Sequence, residues 1–113
     1  MADTIFTKII NREIPANIVY EDDECLAFHD VNPQAPTHIL VVPKTPIASL
    51  TDAKPDDQAL LGHLLLVANK IAKDQGVDEA FRLIVNNGAG AGQSVFHLHI
   101  HLLAGRSFGW PPG

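Results

Sequence analysis

The chain has a single cysteine, Cys25, so it cannot close a disulfide within itself. That fits a reducing compartment, and the thiol reads as a small buried apolar side chain in a strand. Cations are scarce as well: eight Lys and Arg against thirteen Asp and Glu leave a net charge of −5. A non-specific nucleic-acid binder needs clustered cations to neutralise phosphates, so no nucleic-acid polymer is expected and any nucleotide here is a small-molecule ligand. No apolar run approaches the roughly 18 residues of a membrane-spanning helix, and Met1-Ala2-Asp3-Thr4 carries no basic segment followed by an apolar one. These absences predict a cytoplasmic, soluble protein with no membrane partner. Repeats, low-complexity tracts and linkers are also missing. A length of 113 residues suffices for one hydrophobic core but not for two, so a single domain over 1–113 is expected.

Histidine is what the chain concentrates. Half of its six histidines fall in His97-Leu98-His99-Ile100-His101-Leu102-Leu103. Alternation is the period of a β-strand, which sends His97, His99 and His101 to one face and Leu98, Ile100 and Leu102 to the other. An ordinary strand shows water Lys, Glu or Thr, so three imidazoles in register imply chemistry. Just upstream, Asn86-Asn87-Gly88-Ala89-Gly90-Ala91-Gly92-Gln93-Ser94 is glycine-rich, and glycine lets successive N–H groups turn towards one anion. The run lacks the Lys of a Walker A loop and no helix follows it as in G-x-G-x-x-G. By itself it also reads as a flexible hairpin connection.

The remaining pattern predicts an α+β fold with a five-stranded antiparallel sheet, one short N-terminal helix and one long helix. Thr4 caps a helix from Ile5 to Asn11 whose Ile5, Phe6, Ile9 and Ile10 make an apolar stripe. Strands are expected at Ile18 to Glu21, Cys25 to His29, Thr37 to Val42 and Phe81 to Asn86, with the histidine strand as the fifth. Pro55, Asp56 and Asp57 suit a helix start and Gly76 suits the position past its end, giving a helix from about Pro55 to Gln75. Its core stripe is Leu60, Leu61, Leu64, Leu65, Ala68, Ile71 and Ala72, with Leu66 and Val67 outside the centre. Gly62, Leu66 and Asn69 mark a second edge, and Gly62 costs roughly 1 kcal/mol relative to Ala in a helix. Self-association through a close helix approach explains that edge. An unremarkable glycine, held by the core face, is the alternative.

Two further residues carry paired readings. Asp30, at a strand end ahead of Pro33, is a turn former or the carboxylate that grips two ribose hydroxyls. His38, opening the third strand, is a satisfied structural histidine or a neighbour of the triad. For the triad itself, metal ligation competes with catalysis. Same-face residues on a strand lie about 6.8 Å apart, which puts three near-parallel imidazoles beyond easy reach of one zinc. Nucleotidyl transfer suits the spacing better: one imidazole attacks a phosphoryl centre while its neighbours and backbone N–H groups hold the oxygens. His99, with a neighbour on both sides, is the natural nucleophile, and neither metal nor cofactor is expected.

The same residues resemble a known family. His97-Leu98-His99-Ile100-His101-Leu102-Leu103 matches the His-x-His-x-His-x-x signature of the histidine-triad proteins. Ile9-Ile10, Glu13-Ile14-Pro15-Ala16, Tyr20-Glu21-Asp22-Asp23, Cys25 to Asp30, Pro33 to His38 and Gly109-Trp110-Pro111-Pro112-Gly113 resemble the branch called histidine triad nucleotide-binding proteins. The resemblance covers nearly the whole chain. It implies the histidine-triad fold, a two-fold homodimer, and a purine nucleoside phosphoramidase that cleaves the P–N bond of adenosine or guanosine 5′-phosphoramidates, and related acyl-adenylates. The partners it implies are purine nucleoside monophosphate and its phosphoramidates.

By that resemblance His99 forms a covalent nucleotidyl intermediate, His97 and His101 orient and stabilise, Ser94 lies near the leaving group, and His38 stands beside the catalytic histidine. Phe6 and Ile9 wall the base pocket and Asp30 holds the ribose. Phe28, His29, Val31, Asn86, Gly92 and Gln93 complete the nucleotide site, and Trp110 reaches the partner subunit near its phosphate site. Pro46 departs from the family pattern, where many relatives carry another histidine near the proton relay. A second function class remains beside the enzyme: a nucleotide-gated interaction module with incidental hydrolysis.

Overall fold

The computed structural model describes residues 3–113; Met1 and Ala2 of the expected domain lie outside them. Thr4 opens helix α1 (Ile5–Ile10) by accepting the N–H groups of Phe6 and Thr7 on its hydroxyl at 3.1 and 3.3 Å. The Thr7 hydroxyl accepts the Thr4 N–H in return, so the first-turn donors that would otherwise stay orphaned are matched. Strands β1 (Ile18–Glu21), β2 (Cys25–His29) and β3 (Thr37–Pro43) follow, then helix α2 (Gln58–Asp74), β4 (Phe81–Ile84) and β5 (Ile100–Ala104). The five strands form one antiparallel sheet in the order β1-β2-β3-β5-β4.

Period-2 alternation gives that sheet two different faces. Cys25, Ala27, Ile39, Val41, Ile100 and Leu102 point towards α2 and form one core with its Leu64, Val67, Ala68, Ile71 and Ala72. Leu26, Phe28, Leu40 and Val42 point the other way and pack with Phe6 and Ile9 of α1. Val67 therefore belongs to the core, contrary to expectation, and Leu65, expected in it, is 51% exposed. The buried set 64, 67, 68, 71 and 72 keeps i, i+3, i+4 spacing, which leaves position 65 a step off the stripe.

α1 and β3 end within one residue of the expected positions, and three other boundaries differ by more. Pro55–Asp57 is a separate 3₁₀ turn ahead of α2, and β4 stops at Ile84, two residues early. The expected end of α2 is found: Gly76, at φ +71, donates to the Lys73 carbonyl at 3.0 Å, and Val77 donates to Ala72 at 2.9 Å. The largest difference is in the histidine stretch, where only Ile100–Ala104 is strand and His97 to His99 lie outside it. Proline explains this. In the β3–β5 register Val41 pairs with Ile100, so Pro43 falls opposite Leu98, where it has no N–H to extend the ladder. The Leu98 N–H donates instead to the Ile47 carbonyl at 2.6 Å.

Among the described residues no helix is long and apolar enough to cross a membrane.

Candidate active site

The register of the central strands decides which side chains meet. His38 pairs with Leu103 and Leu40 with His101, so His38 and His101 are diagonal neighbours on one face. The Asp30 N–H donates to the His38 carbonyl at 3.0 Å, continuing β2 just far enough to bring its carboxylate onto that face. The face carries a cavity of about 410 Å³, lined by the apolar Phe6, Ile9 and Phe28 and by the polar Asp30, Ser94, His99 and His101. His29 and Val31 also line it, Val31 at the rim and 99% exposed.

Hydrogen bonds fix the protonation of each imidazole. His99 Nδ1 lies 2.7 Å from the His97 carbonyl oxygen, which can only accept, so Nδ1 carries the proton and Nε2 keeps its lone pair. His97 is turned behind His99, where its Nε2–H donates to the Pro43 carbonyl at 2.7 Å. On the other side, the Gln34 N–H donates to His38 Nδ1 at 3.0 Å, which leaves the His38 proton on Nε2. That proton is donated to His101 Nδ1 at 2.9 Å, and the His101 proton therefore sits on Nε2 as a donor. Asp30 Oδ2 lies 3.4 Å from His38 Nε2 and backs this chain, while Asp30 Oδ1 accepts the Asn32 N–H at 2.8 Å. One imidazole thus offers a lone pair and its neighbour a proton.

Burial keeps all four rings neutral. It holds His38, His97 and His99 below the usual imidazole range, against the pull of Asp30 on His38 and His99 and of the Pro43 carbonyl on His97. His101 falls to about 4, through burial first and then the neighbouring His99 and His38 rings. Phe6 meets the His99 ring edge-on with centroids 5.0 Å apart, and the His99 and His101 centroids are 4.9 Å apart. A neutral, desolvated Nε2 is a nucleophile at physiological pH without a separate base.

Other expected residues stand behind this cavity or away from it. His38 and His97 do not line it and instead bond to His101 and His99. Asn86 lies behind the glycine loop, its Nδ2 3.6 Å from where a Cβ on Gly92 would sit, and Gly92 is at φ +100. The Gln93 side chain is buried and bonds only to protein groups. Trp110 is 83% exposed. Sequence reasoning missed Leu40, which the alternation of β3 could have placed beside His38. It also missed the Gln34 amide, for which a sequence holds no signal.

Among the described residues two groups each bring three candidate metal ligands within 4.8 Å: Asp30, His38 and His101 in the site, and Asp22, Cys25 and His63 outside it. In the second, Tyr20 Oη–H and His63 Nε2–H both donate to Asp22 Oδ2, at 2.8 and 2.6 Å, and burial pushes the Cys25 thiol up to about 12. Its members satisfy one another without an ion.

The HIT domain family matches residues 11–108. The chain belongs to that family. A HIT-like protein of Synechocystis sp., itself uncharacterized, is 66% identical over 98% of this chain and 97% of its own length. A HIT family hydrolase from Legionella pneumophila superposes with a TM-score of 0.96 at 48% identity, covering 98% of this chain and all, 100%, of that one. A histidine triad nucleotide-binding protein from Candida albicans gives 0.83 at 35% identity over 96% of this chain and 83% of that one. This HIT domain therefore shares its fold with proteins named as hydrolases and as nucleotide-binding proteins.

Proposed function

We propose that this HIT protein is a purine nucleoside phosphoramidase acting through a nucleotidyl-His99 intermediate. The observation that carries the reading is the pair of opposite tautomers: His99 with its proton held on Nδ1 by the His97 carbonyl, beside His101 with its proton on Nε2. The nucleoside lies with its base between Phe6, Ile9 and Phe28 and its ribose hydroxyls on Asp30, which puts the 5′-phosphoryl group at the histidines. His99 Nε2 attacks the α-phosphorus, the P–N bond breaks, and the amine leaves with a proton relayed by Ser94 from solvent. Water then attacks the same phosphorus, breaks the Nε2–P bond and releases the monophosphate, returning a neutral His99.

His101 Nε2–H supports the negative oxygens in both steps. So do the N–H groups of Ser94 and Val95, two residues of the cavity wall whose N–H groups have no protein acceptor among the described residues. No step assigns work to a metal or cofactor.

The same reading places two copies about a two-fold axis through α2 and the open edge of β4, with Trp110 of each reaching the other's phosphate site. Leu65 and Leu66, 51% and 69% exposed on α2, support it, since such a face is costly to leave in water. Rapid quenching with phosphorus-labelled substrate tests the chemistry: label should be trapped on His99, and label on Ser94 would defeat it.

A further inference from the structure

The glycine loop is held from outside the cavity by two of its side chains, and one of them, Gln93, also ties the two ends of the loop together. Gln93 is buried, yet it does not line the pocket. Its Oε1 accepts the Gly88 N–H and the Ser49 hydroxyl, both at 2.8 Å. Its Nε2 donates to the Ala48 carbonyl at 2.8 Å and the Val95 carbonyl at 3.1 Å. An obligate donor faces one end and two obligate acceptors the other, so the amide has one orientation and all four of its bonds are made. Beside it, the Asn87 Oδ1 accepts both the N–H and the hydroxyl of Thr51, at 2.8 and 2.7 Å. The loop from 86 to 95 is thus stitched at two points to the segment 48–51.

We propose that Gln93 is a positioning residue: its amide locks the Ala48–Ser49 segment to both ends of the glycine loop, which fixes the Ser94 hydroxyl and the Ser94 and Val95 amides at the phosphoryl group. A bond to the Val95 carbonyl and another to the Gly88 N–H bracket the stretch that brings Ser94 and Val95 to the cavity wall. Glycine makes the loop able to wrap an anion, and the same freedom makes it unable to hold a shape unaided. Geometry of this kind is worth much at a reacting centre, where a misplacement of about 1 Å can cost about 100-fold in rate. The base end of the site, on Phe6, Ile9 and Phe28, belongs to α1 and β2, to which the Gln93 amide makes no bond, although Val95 packs against it.

The inference rests on the nucleotide reading of the cavity, and its test separates the two ends of one ligand. Affinities for AMP and for adenosine are measured by calorimetry on the native protein, Gln93→Met and Ser49→Ala. Gln93→Met keeps the volume and removes all four bonds; AMP should weaken about 10-fold while adenosine changes less than about 2-fold. Ser49→Ala should move AMP in the same direction by a smaller factor. Adding it to Gln93→Met should cost nothing more, because its acceptor is already gone. Single-turnover transfer to His99 should slow about 10-fold or more in Gln93→Met. Ser49→Ala carries the same comparison if Gln93→Met does not fold. Equal weakening of AMP and adenosine, or losses that multiply in the double variant, would overturn the brace. Both ligands report at equilibrium, so this outcome is independent of whether phosphoramidates are turned over.

Discussion

The two faces of the sheet are written in the same strands, residue by residue, and obey different rules. Towards α2 every inward side chain is apolar, and any set of side chains that fills the volume would serve. Towards α1 the same strands present His38 and His101, the carboxylate of Asp30 follows, and each buried polar atom there needs a partner of the right kind. Among the described residues no buried side-chain N or O lacks one. One face stores stability in contact area, and the other stores information in which nitrogen carries a proton.

The sharpest way to break that contrast is to exchange what each face does. His99→Ala should lower phosphoramidate turnover by at least about 10³-fold while nucleoside monophosphate still binds, because the apolar walls and Asp30 remain. Steady-state kinetics and calorimetry on the same preparation check it, and near-native turnover would end the proposed mechanism. Leu64→Ala, at the fully buried centre of the α2 face, should do the reverse. It should cost about 2–5 kcal/mol in denaturant unfolding and leave the turnover of the folded fraction unchanged.

How far the sequence carried each face follows from the same contrast. Alternation from Leu98 to Leu102 placed the apolar side chains correctly because burial depends only on period, and the glycine at 76 ended α2 because φ decides it. Leu65 and Val67 were exchanged because a leucine-rich helix has more apolar residues than one stripe can bury. The catalytic face was legible in residue type and not in wiring. That His97 would turn back to Pro43 and lend only its carbonyl to His99 depends on a proline 54 positions away. The Gln34 amide and the Gln93 bonds are equally invisible, since all but the one to the Ser49 hydroxyl use backbone groups that any residue possesses.

A smaller effect should appear in pH dependence, and between about pH 6.5 and pH 5 it belongs to the histidine face. All four rings have native pKa values below the 6.5 of the free side chain, His101 at about 4. Below 6.5 the unfolded chain therefore binds more protons than the native one, and stability must fall as the medium acidifies. The melting temperature should be level from about pH 6.5 to about pH 8 and decline steadily towards pH 4. His101→Gln should flatten part of that decline, whereas Leu64→Ala should lower the whole curve without changing its slope. A decline that survives intact in His101→Gln would remove that ring from the account.

The smallest expected effect concerns the C-terminal tail, which belongs to neither face of its own sheet. Phe108 lies between two guanidiniums, 5.2 Å from that of Arg82 and 4.3 Å from that of Arg106, and Arg82 donates to the Gly109 carbonyl at 3.0 Å. The tail is therefore anchored up to Gly109, and beyond the anchor it presents a large indole to water. Within one chain Trp110 stabilises nothing, so deleting 110–113 should shift the melting temperature by no more than about 2 °C. In the dimer proposed above the indole would instead cover the partner's phosphate site, where leaving amines differ most. Deletion should then change the ratio of kcat/KM between a bulky aromatic amine and a small one by about 3- to 10-fold, a range set by the apolar contact that one side chain makes. Sedimentation at micromolar concentration supplies the condition on which this depends. A mass of one chain, or an unchanged amine ratio in a protein of two, would place Trp110 outside the site altogether.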